Sequence, residues 1–372
     1  MKYQFHRVVA LALGLSILAA GTAPAAPADR QEKEEKATVQ GKGKVALTIK
    51  NARGRTVVVG RPDATTVSIV ALKTAVARDT EDAREMLDKI KMDVSETGDQ
   101  VIIETRDSNK YENWNFSVMN VVKGNRRSAW IDYTIEVPVN YRVSASTTSG
   151  EVRISNINGR ADVDATSGDV VLRGVAAGAR TNMTSGELEA SDIGGDFTVN
   201  ATSGNVTVDN VRGKLTISGT SGDFDISRVE KDVQVDLTSG DFTLEGCNGN
   251  VVFRAASGDA EMTEVGGSVD ASSSSGDIAV MIAPVGERNF SFSTSSGDID
   301  ISYLPANNYG FKLDISTTSG SIEGDMPIKV SRVDRRRLQG VVGSGSARVE
   351  VETASGDVTI VEKSDAAVKP SR

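Results

Sequence analysis

One histidine, His6, and one cysteine, Cys247, occur in 372 residues. His6 lies in a segment that reads as a removable leader. The remaining chain therefore has no Ser-His-Asp triad, no Cys-His pair, no histidine metal ligand and no internal disulfide. Aromatic residues make up only 5% of the sequence, against abundant Gly, Ser, Thr, Val and Asp, a mix that favours short strands and tight turns over helices. Long apolar runs are absent except for one, Val8–Ala20, which follows Lys2 and Arg7 and precedes the small-residue stretch GTAPAAPA. It is short for a membrane span and reads as a secretory signal peptide over 1–25, cleaved after Ala25 or Ala28; an uncleaved anchor is the other reading. No lipobox cysteine precedes residue 29. The expectation is an exported protein, soluble after signal cleavage, periplasmic or extracellular at the cell surface. Loss of Lys2 and Arg7 takes the formal charge from −9 to −11. A surface of that sign argues against nucleic acid as a partner.

What the sequence does have is a beat. Thr-Ser-Gly and its variants place serines at Ser149, Ser167, Ser185, Ser203, Ser221, Ser239, Ser257 and Ser275, each 18 residues after the last. The spacing then loosens to Ser296, Ser319 and Ser355. A fixed period of this size marks a repeat architecture. Counting from the serine, apolar residues recur at positions three, five, eight, twelve, fourteen and sixteen, as in Leu188, Ala190, Ile193, Phe197, Val199 and Ala201. Alternation over two short segments separated by glycine turns predicts a flattened coil of two strands. One coil cannot bury its own apolar face, but coils stacked in parallel register do so and satisfy one another's backbone groups. At about 4.8 Å per coil, about ten coils make a rod on the order of 50 Å long. The fold class expected is all-β: a parallel β-solenoid over 141–361, with insertions after 280. Cys247 occupies the column of Ile193, Val211, Val229 and Val265 and reads as a small buried core residue.

Ahead of the repeats, 26–43 is charged and reads as a flexible leader. Residues 44–140 read as a strand-rich N-terminal region and cap. TEDAREMLDKI there is a short helix with Thr80 as a candidate cap and Ala83, Met86, Leu87 and Ile90 on one face. Tyr111, Trp114, Phe116 and Trp130 are candidates for a hydrophobic cap or an aromatic ligand platform. Residues 362–372 read as a flexible tail.

The Thr-Ser-Gly-Asp-Val rhythm resembles the "putative adhesin" domain family of bacterial envelope proteins. NARGRTVVVG, YTIEVPVNYRVSASTTSGEV and LQGVVGSGSARVEVETASGDVTI resemble that family's opening, entry and closing segments. The resemblance covers about Val45 to Val361. It implies an extracytoplasmic β-solenoid and supplies no catalytic, cofactor or metal residues to carry over.

Three features are candidates for function. An acidic column, Glu151, Asp169, Glu187, Asp223, Asp241, Asp259, Asp277, Asp298 and Asp357, places like charges about 5 Å apart, which repel by about 1 kcal/mol in water. Calcium would relieve this, giving a calcium-stabilised β-roll. The glycine array of calcium-binding nonapeptides is missing, however, and Asn205 and Ser321 interrupt the column, so turn chemistry, with Ser and Asp bonding local backbone N–H groups, is preferred. A threonine column, Thr148 to Thr238, is too narrow for an ice-binding plane. The insertions at 281–289, 303–310 and 325–340 share one entry point, and are expected to project together. Within them Tyr303, Tyr309, Arg335, Arg336 and Arg337 are the candidate partner-binding residues for an anionic or sugar-containing envelope component, glycan or protein. The function expected is that of a non-enzymatic binding, adhesin-like or structural envelope protein, with no cofactor. The rival is a polysaccharide-active β-helix enzyme, for which the regular coils Ser149–Ser275 offer no cleft.

Overall fold

The structure, a computed structural model, describes residues 29–41, 43–107, 127–305 and 309–363. The expected leader peptide, Tyr111, Trp114, Phe116 and most of the 362–372 tail lie outside the described residues. Two long, mostly parallel sheets, sheet A of 15 strands and sheet B of 16, face each other, and the chain crosses between them at each Thr-Ser-Gly corner. The fold is a β-solenoid. Each residue of the regular part pairs with its equivalent 18 positions later: Val170 with Leu188, Leu188 with Val206, Val206 with Phe224. All four are buried. The backbone bonds run between coils, as from Phe224 N to Asp241 O at 2.9 Å, so no coil is satisfied alone.

Side-chain volumes balance between neighbouring columns. Phe224 fills space left by Gly219, where a Cβ would come within 2.4 Å of the phenyl Cζ. Phe242 and Phe253 stack across the core with centroids 5.3 Å apart. The inward pattern three, five, eight has a backbone cause. Position seven is left-handed in the seven coils that start from Ser149 to Ser257: Asn156, Asp192, Asn210, Arg228 and Glu264 have φ between 55° and 59°, and Gly174 and Gly246 take the same place. That residue lets two successive side chains point outward before the next apolar one returns inward.

Both ends of the rod are closed by chain that doubles back. Strands β1 (Asp29–Gln40), β2 (Ala46–Lys50), β3 (Thr56–Arg61), β4 (Thr66–Ala77), β5 (Ile90–Thr97), β6 (Gln100–Asp107) and β7 (Ser128–Pro138), with helix α1 (Thr80–Lys89), precede the repeats. β2 and β3 form the first coil, in parallel register with Arg142–Ser146 and Val152–Ser155. β6 and β5 then extend sheet B, while β7, β4 and β1 extend sheet A. The 44–140 region is thus the beginning of the solenoid as well as its cap. The flexible leader is corrected: 29–40 is a strand paired along its whole length with β4. Its charge hides an alternation in which Ala37 and Val39 face inward, and Glu35 meets Lys73 at 2.7 Å, with the lysine side chain only 5% exposed. The helix cap is Asp79, whose Oδ1 accepts from the Asp82 N–H; Thr80 Oγ1 instead donates to Asp29 Oδ2 and ties β1 down.

Sixteen strands, β8 (Arg142–Ser149) to β23 (Ile278–Ile282), make the regular coils. The last eight are β24 (Asn289–Ser296), β25 (Ile299–Tyr303), β26 (Gly310–Ser319), β27 (Ile322–Asp325), β28 (Ile328–Asp334), β29 (Arg337–Gly343), β30 (Ala347–Ser355) and β31 (Val358–Glu362). The final coil in sequence, β30 and β31, slots between β24/β25 and β26/β27. This explains the 36-residue step from Ser319 to Ser355: spatially Ser355 sits between Ser296 and Ser319.

Two substitutions test this account by denaturant unfolding. Gly222 has φ 119°, and a Cβ would lie 2.2 Å from Gly204 O; Gly222→Ala is expected to cost about 3 kcal/mol. Exposed Glu264, at φ 56°, is strained, and Glu264→Gly is expected to stabilise by about 1 kcal/mol.

Candidate functional site

The acidic column is built into the stack. Asp169 Oδ1 accepts from Glu187 N at 3.0 Å, Asp259 from Asp277 N at 2.8 Å and Asp298 from Asp357 N at 2.7 Å. Asn205 does the same for Asp223 N with its amide oxygen, at 3.2 Å, so the column needs an acceptor and not a charge. The expected turn bonding is local in neither case: it reaches the next coil, and the acid rather than the serine supplies it. A second ladder, eleven residues past the serine, escaped the sequence reading. Asp196 accepts from Lys214 N, Asp232 from Asn250 N and Asn250 from Ser268 N, all at 2.8–2.9 Å. Its signal, a polar acceptor every 18 residues, was present. Among the described residues no group of three or more His, Cys, Asp or Glu side chains is placed to hold a metal ion.

The threonine column has a different setting. Thr148, Thr166, Thr184, Thr202 and Thr220 line one side of a groove of about 800 Å³ on the outside of sheet B, running along the rod axis. The other side is the outward column two residues earlier. There Asn182 Nδ2 donates to Asp164 Oδ1 at 2.6 Å and Asn200 Nδ2 to Asn182 Oδ1 at 2.7 Å. Lys50 and Glu104, 3.8 Å apart, stand at the N-terminal end. The expectation that the regular coils carry no cleft is therefore corrected. Alternation puts two polar columns on one face, and repetition turns them into a channel. Hydrogen bonding from Arg106 holds Glu104 below the usual carboxylate range, so it stays ionised.

The insertion residues do not converge. Tyr303 is wholly buried, its ring 6.0 Å from Tyr309 and edge-on to Phe311 at 5.2 Å, and its hydroxyl donates to Glu362 at 2.9 Å. It is core, and burial pushes its phenol upward. Tyr309 is half-buried against the same core. Arg337 is bound to Asp314 through two guanidinium nitrogens at 3.1 and 2.8 Å, while Arg335 and Arg336 are exposed at the turn between β28 and β29. Arg337 lies opposite Ser316 and Gly343 opposite Gly310, so the tyrosines and arginines are on the order of 20 Å apart. The 325–340 insertion is a hairpin extending sheet B, not a loop beside the other two. Trp130 is half-buried on the outer face of β7, with Arg30 6.0 Å above its ring. Cys247 is buried as expected, its thiol pushed up to about 11 by desolvation.

A model of the Toastrack DUF4097 domain matches residues 74–248 and again 195–361. The chain belongs to the Toastrack DUF4097 family. Among solved structures it is similar to a "putative adhesin" from Parabacteroides merdae, at 10% identity over 90% of this chain and 96% of that one, TM-score 0.28. It is also similar to a "putative lipid binding protein" from Parabacteroides distasonis, at 11% over 88% and 96%, TM-score 0.37. A third is a "putative cell adhesion protein" from Clostridium sporogenes, at 10% over 90% and 100%, TM-score 0.22. No curated protein matches. The two matches overlap over residues 195–248.

Substitution in the acid ladder separates acceptor from charge. Asp259→Asn is expected to leave stability within about 0.5 kcal/mol, and Asp259→Ala to cost about 1 kcal/mol. Asp357, held below the ordinary carboxyl range by the N–H and then the hydroxyl of Ser321, gives a pH test. Its contribution is present above the unfolded value near 3.9 and lost as pH falls through the lower folded value. Protection of the Ser321 amide from hydrogen exchange is expected to fall with acidification there.

Proposed function

We propose that this protein is an exported, non-enzymatic binding rod of the cell envelope, adhesin-like in the sense that the solenoid displays a recognition face. The groove across the early coils is that face. The observation that carries this reading is the pairing of two polar columns, hydroxyl and amide, along a channel of about 800 Å³. Each coil advances by about 4.8 Å, close to the step of an extended pyranose chain, so a linear hydroxyl-rich glycan laid along the axis meets one Thr and one Asn, Asp or Ser per residue. The lining contributes donors and acceptors and no aromatic ring, which suits a polar polymer held by many weak bonds. Two carboxylates line the groove: Glu104 stays ionised, and Asp164 is engaged by Asn182. Neither is set up as a general acid, which supports binding over hydrolysis.

The test is a screen of envelope polysaccharides by calorimetry against wild type, the groove variant Thr184→Lys/Asn200→Lys, and a variant with Arg335, Arg336 and Arg337 replaced by alanine. Loss of binding in the groove variant alone, without glycan cleavage, is expected. Binding lost only in the arginine variant would contradict the reading.

A further inference from the structure

The groove on sheet B differs at its two ends. In the regular coils it runs between the threonine column and the outward column two residues earlier, and among the described residues no side-chain hydrogen bond crosses it there. Toward the C-terminal end the columns continue past Ser218 and Thr220 to Asp236 and Thr238. Arg254 follows in the next coil, but its guanidinium turns to Asp270, 3.5 Å away on the side opposite the threonines, and leaves the way clear. Toward the N-terminal end the same two positions fall on β6, where Glu104 is in register with Lys50 and Arg106 lies two residues on. There a side chain does cross. Arg106 Nε and Nη2 donate to Glu104 Oε2 at 3.0 and 2.8 Å, and Nη1 lies 3.2 Å from Asp93 Oδ2 on β5, the strand beyond. The guanidinium is a bar across the line of the channel, and the lining stops short of it at Glu104 and Thr105.

The closed end also carries unused polar atoms. Glu104 Oε2 is taken by Arg106. Glu104 Oε1 and Lys50 Nζ stand 3.8 Å apart, beyond hydrogen-bond reach, and neither atom has a hydrogen bond among the described residues. One hydroxyl oxygen between them completes both, donating to the carboxylate and accepting from the ammonium. Elsewhere the lining is neutral apart from Asp164, which Asn182 engages. A charged donor–acceptor pair therefore stands at one end of the channel only.

We propose that the groove binds a glycan by its end, with the non-reducing terminal residue seated at Lys50 and Glu104 against the Arg106 bar. This rests on the glycan reading of the groove and adds which part of the chain is read. Inside a linear chain each linkage oxygen is substituted. Only the terminal residue keeps a free hydroxyl at that position, beside a second one on the neighbouring carbon, and such a hydroxyl fits the 3.8 Å space between Lys50 and Glu104. A glycan joined to another molecule is joined through its anomeric carbon, so the end it leaves free is the non-reducing one. The rest of the chain lies on the threonine column and leaves by the open end. From Lys50 to Ser218 the lining spans six coils, about 24 Å, the length of about five or six sugar residues.

Calorimetry with chitohexaose, a linear β-1,4 oligosaccharide of that length, tests the end directly. Wild type is expected to bind it, and to bind equally the alcohol made by reducing its anomeric end. The form methylated at the terminal O4 loses a hydrogen bond to charged partners and is expected to bind at least about tenfold more weakly. Arg106→Ala, at an exposed side chain, is expected to keep the unfolding midpoint and to bring the O4-methylated form to within about twofold of the unblocked one, because the chain then passes β6. Lys50→Met/Glu104→Gln is expected to weaken chitohexaose at least about tenfold and to leave the O4-methylated form little changed. Absence of chitohexaose binding, or binding indifferent to O4-methylation and to Arg106→Ala, would overturn the inference. The groove reading itself stands or falls separately, on the Thr184→Lys/Asn200→Lys variant.

Discussion

Everything in this molecule depends on one contact, the approach of each corner to the corner below it. At the glycine of Thr-Ser-Gly the backbones come so close that no Cβ fits between them, as at Gly204, Gly222, Gly240 and Gly258. Once corners are fixed at that distance, the period is no longer free. Every coil must keep the same spacing from its corner through its paired strands, or an apolar side chain turns outward; extra residues enter only between strands, as in the 21-residue step from Ser275 to Ser296. The acceptor ladders are consequences of the same stacking. A carboxylate or amide at the corner finds the next coil's N–H within reach, which explains how an acidic column persists despite self-repulsion: Asp169, Asp241, Asp259, Asp277, Asp298 and Asp357 each accept a bond from a neighbouring coil's backbone.

A stack of this kind has no natural length, and its ends would expose strand edges and core. The chain closes each end by turning back over itself. At the N-terminal end, β2 and β3 are laid down next to the repeats and later strands cover them. At the C-terminal end, the last coil in sequence inserts beneath the one made before it. Both chain ends of the solenoid proper are thus held inside the stack rather than at its tips. The C-terminal sheets finish unevenly, however, and that unevenness distinguishes this end from a simple cap.

The regular coils were legible because 18-residue spacing and inward positions are written directly in residue type; Val170, Leu188 and Val206 face each other as the pattern required. The N-terminal strand was not legible, since β1 is dense in Glu, Lys and Arg and only its pairing with β4 reveals an alternating face. The order of the last coils was also hidden. A sequence shows the step from Ser319 to Ser355 as an insertion, and only strand pairing shows it as an interleaving. Site residues fared worse than fold. Tyr303 carries the polar handle of a ligand contact, but its column is core. The arginines sit at or beside the turn of the hairpin, whereas Tyr309 lies beside its other end at Gly343. The groove was missed because each lining residue is an unremarkable Thr or Asn, and the site arises from stacking rather than from a local motif.

The central claim is that residues 18 apart in sequence are one coil apart in space. Pulsed electron paramagnetic resonance tests it, with paired spin labels placed on the exposed corner residues of a Cys247→Val background. Labels at Thr148 with Thr220, Thr238 or Ala256 span four, five or six coils. In-register stacking predicts backbone separations rising linearly through about 19, 24 and 29 Å, about 4.8 Å for each added 18 residues. Separations that fail to increase with each added repeat would contradict the account.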